Sequence, residues 1–99
     1  MFIGFPDIPF EQCEADTRTI DATGGTLAAL FTGITLGSKC RAIMLQNNGS
    51  VNVKFGPTAS GASWNILPGG VLTLYPKDLA KVAIKAASST ASVDLLVIF

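Results

Sequence analysis

The side chains that most often catalyse reactions in proteins are scarce in this chain of 99 residues. Histidine is absent, so neither a histidine general base nor a Ser-His or Cys-His nucleophile pair can be built. The two cysteines, Cys13 and Cys40, are too few for a zinc site, which needs three or four ligands. The inventory predicts that the chain is not an enzyme and has no catalytic, cofactor-binding or metal-binding residues.

Acidic residues gather near the start of the chain, at Glu11, Glu14, Asp16 and Asp21. Their oxygens could be offered to a divalent cation, but the spacing of a calcium-binding loop is missing. A solvated segment is therefore the favoured interpretation of this cluster.

Trp64 and Tyr75 are the single tryptophan and the single tyrosine, and both lie near predicted loops. Aromatic rings on the surface of a β-sandwich can stack on sugars, which makes the two residues candidates for ligand binding. The alternative, which we favour, is that Trp64 caps the core and Tyr75 packs at an edge with its hydroxyl in water. Only Asn65 and Lys77 lie close enough in sequence to add polar contacts.

The composition predicts contacts with other proteins. Hydrophobic residues make up 48% and charged residues 14% of the chain, whereas about 25% charged is typical of soluble domains. A small domain with so little charge is expected to turn part of its exterior toward protein, in a homo-oligomer or a docked complex. The net charge is zero and the basic residues form no run, so no nucleic-acid partner is expected.

Membrane insertion and secretion are not expected. No apolar run approaches the roughly 20 residues that cross a bilayer. The apolar start lacks a basic region and is interrupted by Pro6 and Pro9, unlike a signal peptide. We expect assembly in a cytoplasm with reduced thiols, and a secreted domain with a Cys13–Cys40 disulfide is the alternative.

Residues 1–15 are predicted to form an extended arm. Pro6 and Pro9 exclude a regular helix or a central strand. One interpretation packs the arm on its own domain. The other, which we favour, inserts it into a neighbouring subunit, because a proline-stiffened segment loses less entropy on docking. The predicted partner-binding residues of the arm are its large apolar ones: Phe2, Ile3, Phe5, Ile8 and Phe10.

Residues 16–99 are predicted to form an all-β domain. Thr26 is a suitable N-cap for one or two helical turns ending at Gly33, and a strand is the alternative because both faces of this run are apolar. The Asn-Gly pair in residues 47–50 predicts a hairpin between the strands on either side. The strands are predicted at residues 16–21, 41–46, 51–55, 64–67, 71–75, 80–86 and 92–99. Short strands at this spacing indicate a small β-sandwich or jelly-roll-like domain with one short helical turn and the N-terminal arm.

The last predicted strand is apolar on both faces near its end. Val93, Leu95, Val97 and Phe99 alternate on one face, while Leu96 and Ile98 lie on the other. Such a strand is buried on both sides. The arm or another subunit must cover the outer face, so Leu96 and Ile98 are predicted to contact a partner.

Three stretches resemble a pattern of small virion proteins of tailed bacteriophages. They are Thr26–Leu30, Cys40–Gly56 with its Leu-Gln-Asn-Asn-Gly core, and Leu67–Leu74 with its Pro-Gly-Gly turn. The resemblance spans roughly residues 26–99 and is compositional rather than catalytic. It implies a capsid decoration (cement) protein or related accessory, often trimeric, that binds capsid protein subunits.

The leading expectation is therefore a virion structural protein on the capsid surface that stabilises the shell through contacts between subunits. The alternative is a receptor- or glycan-binding module of a tail fibre or tail tip. The arm lies outside the resemblance, and its expected role depends on the physical argument alone.

Overall fold

The computed structural model describes residues 12–99, which fold into eight β-strands with a short α-helix and a 3-10 turn. The elements in chain order are β1 (Cys13–Asp21), β2 (Gly25–Thr26), α1 (Leu27–Leu30), β3 (Ala42–Asn47), β4 (Val53–Gly56), β5 (Trp64–Ile66), β6 (Val71–Leu74), the 3-10 turn (Leu79–Lys81), β7 (Ala83–Ala86) and β8 (Thr90–Ile98).

The strands form two four-stranded antiparallel sheets. Sheet A has the order β1-β8-β3-β6, and sheet B has the order β2-β7-β4-β5. Most successive strands lie in opposite sheets, and this strand order is that of a jelly roll. The predicted fold class, a small jelly-roll-like β-sandwich with one short helical turn, is confirmed.

Apolar side chains fill the space between the two sheets. Ile43, Leu45 and Leu95 of sheet A and Ile84 of sheet B are at most 1% exposed. Phe31, directly after α1, packs into the same cluster. Burial of one such side chain contributes about 1.5–3 kcal/mol, so the filled interior is the main source of stability.

The helical turn forms where it was predicted. The Thr26 hydroxyl accepts a hydrogen bond from the Ala29 N–H at 3.2 Å, which satisfies a free donor of the first turn. The predicted end at Gly33 is wrong, because the helix ends at Leu30. The Gly33 N–H instead donates to Asp16 Oδ2 at 3.0 Å. A Cβ at Gly33 would lie 2.7 Å from that oxygen, which explains the glycine.

The predicted hairpin around residues 47–50 is wrong. β3 lies in sheet A and pairs with β6 and β8, whereas β4 lies in sheet B and pairs with β5 and β7. Residues 48–52 therefore form a corner between the sheets. Asn47 fixes that corner from inside, because its fully buried Nδ2 donates to the carbonyl oxygens of Val51 at 2.8 Å and Ile66 at 2.9 Å.

Two strand boundaries also differ from prediction. β1 begins at Cys13, so residues 13–15 of the predicted arm pair with the end of β8. Residues 79–81 form a 3-10 turn where a strand from Ala80 was expected, because the Asp78 carboxylate accepts the Ala80 N–H at 2.9 Å and caps the turn. The predicted arm residues Phe2, Ile3, Phe5, Ile8 and Phe10 lie outside the described residues.

Candidate protein-contact surface

One side of the sandwich is unusually apolar for a surface. Among residues 12–99, five large apolar side chains are exposed, and four of them lie between residues 64 and 75. These four define the edge surface: Trp64 (69% exposed), Leu67 (62%), Val71 (55%) and Tyr75 (77%). The remaining one is Leu36.

The edge surface is built from the two adjacent outer strands of the sandwich. β5 is the last strand of sheet B, and β6 is the last strand of sheet A. Residues 67–70 connect them in a tight turn, in which the Gly70 N–H donates to the Leu67 carbonyl oxygen at 2.8 Å. Gly69 supplies the positive φ of 79° that this turn requires. Each strand has a neighbour on one side only.

The edge surface carries no charge. No charged residue occurs between Lys54 and Lys77, a stretch that includes all of β5 and β6. The opposite edge of sheet A differs, because β1 carries Glu14, Asp16 and Arg18, and Arg18 forms an ion pair with Asp16 at 3.2 Å. β6 therefore carries none of the charge that the opposite edge of sheet A carries.

Trp64 and Tyr75, the predicted ligand-binding residues, are both exposed but lie on different sheets. Trp64 is in β5 and pairs with Phe55 of β4, and Tyr75 follows β6. Their rings are available to a partner. The interpretation of Trp64 as a cap on the core does not fit its exposure of 69%.

Leu96 and Ile98, the predicted partner-binding residues of the last strand, lie on the outer face of sheet A. Leu96 sits between Ala15 of β1 and Met44 of β3 and is half-buried. Ile98 is only 3% exposed, so it offers little surface to another chain. Leu96 instead lines an open concavity of about 420 Å³ on this face, whose wall includes Val71.

The polar end of this concavity is already hydrogen-bonded. The Asp94 carboxylate accepts the Thr17 hydroxyl and the Asn48 side-chain amide, both at 2.6 Å. Its oxygens therefore hold β1 and the corner after β3 against β8.

Three residues of the acidic cluster near the start of the chain contact backbone, and the fourth, Glu11, lies outside the described residues. Glu14 accepts the N–H groups of Thr35 at 2.9 Å and Leu36 at 2.6 Å, and Asp16 accepts that of Gly33. The Thr35 N–H is the largest cause of a lowered pKa of Glu14, because it stabilises the ionised form. Asp21 accepts the N–H groups of Thr23 and Gly24. Within residues 12–99, no three His, Cys, Asp or Glu side chains are grouped to hold a metal ion.

The two cysteines are not joined by a disulfide. The Cys40 thiol donates to the Pro76 carbonyl oxygen at 3.2 Å. Burial, and secondarily the negative charge of Asp78, raises the pKa of Cys40. Cys40 therefore stays a protonated, poorly nucleophilic thiol near neutral pH.

Sequence reasoning singled out Trp64 and Tyr75 but not Leu67 and Val71, which complete the edge surface. The signal that identifies the whole surface is the absence of charge between Lys54 and Lys77. Asn47 was also missed as a structural residue, because its partner in β5, Ile66, is far away in sequence.

Comparison with known proteins supports the fold alone. No family model and no curated protein matches the chain. Among solved structures, it is similar to RmlC from Streptococcus suis, determined in complex with dTDP-D-xylose, with a TM-score of 0.55 and 12% sequence identity. The match covers 98% of this chain and 50% of RmlC, so the chain spans about half the length of that protein. In the part of the chain that the structure describes, no helix is long and apolar enough to cross a membrane.

Proposed function

We propose that this chain is a non-enzymatic structural protein of a bacteriophage virion, which decorates the capsid and stabilises it through contacts between subunits. The edge surface is the observation that carries the proposal. Four exposed large apolar residues on an uncharged strand edge are costly to leave in water and suited to protein contact. The resemblance of residues 26–99 to small virion proteins supplies the phage setting.

The hydrogen bonds of the acidic side chains are those expected of a rigid structural protein. The carboxylates of Glu14 and Asp16 hold the loop after α1, and Asp94 ties β1 to the corner after β3. These acidic groups are used to fix backbone and neighbouring side chains. A protein that braces a shell needs such rigidity more than a reactive group.

Purified particles of the phage that encodes the chain provide the direct test. We expect the chain in many copies per particle, by quantitative mass spectrometry of particles washed in high salt. Absence of the chain from washed particles would refute the proposal.

Exposure of Trp64 and Tyr75 favours one second candidate, a receptor- or glycan-binding module of a tail fibre or tail tip. Aromatic rings stack on the apolar faces of sugars, but the uncharged segment around these rings supplies few polar partners. A glycan array separates the two candidates. The second predicts a ligand whose binding is lost in Trp64→Ala and kept in Leu36→Ala, a matched exposed apolar residue outside the edge surface. An array without hits would eliminate it.

A further inference from the structure

The free edge of β6, a strand of four residues, carries neither the charges nor the prolines that keep many strand edges from pairing. Native edge strands are blocked by charges, inward lysines, prolines or bulges. β1, the other edge of sheet A, has Glu14, Asp16 and Arg18, whereas β6 reads Val-Leu-Thr-Leu and is uncharged. We propose that a second copy of this chain pairs antiparallel with β6 across a two-fold axis, so that sheet A continues into the partner.

The side chains of β6 select one register for this pairing. Leu72 and Leu74 point into the core, because they oppose Leu45 and Ile43, and Val71 and Thr73 therefore lie on the outer face. A two-fold axis through any residue of β6 keeps inner residues opposite inner residues, and the axis at Thr73 is selected by the pair that it forms on the outer face. This axis places Val71 opposite the partner's Tyr75, which forms a favourable pair of β-branched and aromatic side chains. This pairing also covers Val71 and Tyr75, the exposed apolar residues at this edge.

The edge surface offers a large part of the area that a stable dimer buries. At 69% and 77% exposure, Trp64 and Tyr75 alone offer roughly 300 Å² per subunit. Leu67 and Val71 and the backbone of the paired edges add to this. A standard interface buries about 800 Å² per partner, so the edge surface supplies a large share of that area on one side of the sandwich.

Other occupants of this edge fit less well. β1 of another copy would bring Glu14 and Asp16 to an uncharged edge. The segment of residues 1–11 has prolines at positions 6 and 9. Positions three apart present their N–H groups to opposite sides of a strand, so a stretch that paired through both positions would turn one proline toward β6, where it lacks the N–H that the ladder needs. The inference depends on the proposed function only in treating the edge surface as a contact between subunits.

Substitutions at Thr73 test the two-fold axis, because a charge at this position would lie opposite the same charge in the partner. We expect the full chain to sediment as a dimer, and Thr73→Lys and Thr73→Glu each to weaken association at least about 30-fold through like-charge repulsion. An equimolar mixture of the two variants should restore a dimer that contains one of each, by native mass spectrometry. Thr19→Lys is the matched control, since Thr19 is an exposed threonine on the outer face of β1; it should leave the dimer intact.

The mixture distinguishes charge repulsion from misfolding as the cause of lost association, because two unfolded variants would not form a dimer together. A wild-type chain that stays monomeric at about 100 μM, which means a Kd weaker than about 100 μM, would overturn the inference. So would a trimer, as the resemblance to phage proteins implies, or equal effects of Thr73→Lys and Thr19→Lys. Absence of the chain from virions would leave the dimer result unchanged, so the two proposals fail separately. If the chain released from wild-type virions is monomeric, the edge surface binds a different protein and the inference is wrong.

Discussion

Removal of the Asn47 side chain should destabilise the fold far more than its size suggests. Asn47 is completely buried, and its amide makes three short hydrogen bonds. It donates to the carbonyl oxygens of Val51 at 2.8 Å and Ile66 at 2.9 Å, and it accepts the N–H of Gly49 at 2.9 Å. Asn47→Ala leaves these backbone groups without this partner in a buried corner.

The expected loss in the free energy of unfolding is about 3 kcal/mol, at roughly 1 kcal/mol for each hydrogen bond. For a domain of this size that corresponds to a fall in melting temperature of about 12–24 °C. The neighbouring Asn48→Ala is the control. Its amide bonds the Asp94 carboxylate at an exposed position, so the loss should be about 0.5 kcal/mol.

Thermal and urea denaturation followed by circular dichroism measures both variants, at one protein concentration so that self-association affects them equally. A loss below about 1 kcal/mol for Asn47→Ala, or equal losses for the two variants, would refute the assignment of Asn47 as the residue that holds the corner. Asn47→Asp tests the direction in which stability changes with pH. Its carboxylate would face two carbonyl oxygens, which raises its folded-state pKa, so the deficit relative to wild type should shrink as the pH falls through that pKa.

Three further predictions concern other parts of the molecule. The folded-state pKa of Glu14 is lowered from 4.5, so its contribution to stability is present above pH 4.5 and is lost as the pH falls through the lower value; Glu14→Gln should lower the melting temperature at pH 7, this deficit should shrink as the pH is lowered below 4.5, and a deficit that did not change with pH would contradict this. Gly24→Ala should destabilise more than Gly69→Ala in urea unfolding, because both have positive φ but only a Cβ at Gly24 would lie 2.1 Å from the Ile84 carbonyl oxygen; equal losses would show that the close approach is unimportant. Cys40 should react with a thiol-specific reagent at pH 7 much more slowly in the folded than in the urea-unfolded chain, and equal rates would refute its burial and raised pKa.

Local sequence signals predicted the elements of the fold well. Thr26 precedes a run of good helix formers, and its hydroxyl does cap the helical turn. Alternation in residues 51–55 and 92–99 placed Val53 and Leu95 in the core, where both are at most 1% exposed. These signals depend on neighbours within a few positions, so the sequence carries them directly.

The sheet that a strand joins depends on contacts between residues that are distant in sequence. The predicted hairpin at residues 47–50 was wrong for this reason. The Asn-Gly pair at residues 48–49 is typical of a hairpin. Here the Asn48 N–H donates to the Ser92 carbonyl oxygen at 2.8 Å, and the Asn47 amide binds Ile66, so both residues are engaged by strands that lie far away in sequence. The chain turns from one sheet to the other here because these contacts hold residues 47 and 48 against β5 and β8.

The same long-range contacts position the edge surface. The backbone of Asn47 accepts the Gly69 N–H at 2.7 Å and donates to the Gly70 carbonyl oxygen at 3.0 Å, while its side chain binds the last residue of β5. One buried residue thus fixes the end of β5 and the turn into β6, and with them the spacing of the two free edges. A partner that pairs with β6 and covers Trp64 must match that spacing. Asn47 therefore connects the corner at residues 48–52 to the edge surface. We expect Asn47→Ala to weaken the contacts between subunits as well as the core.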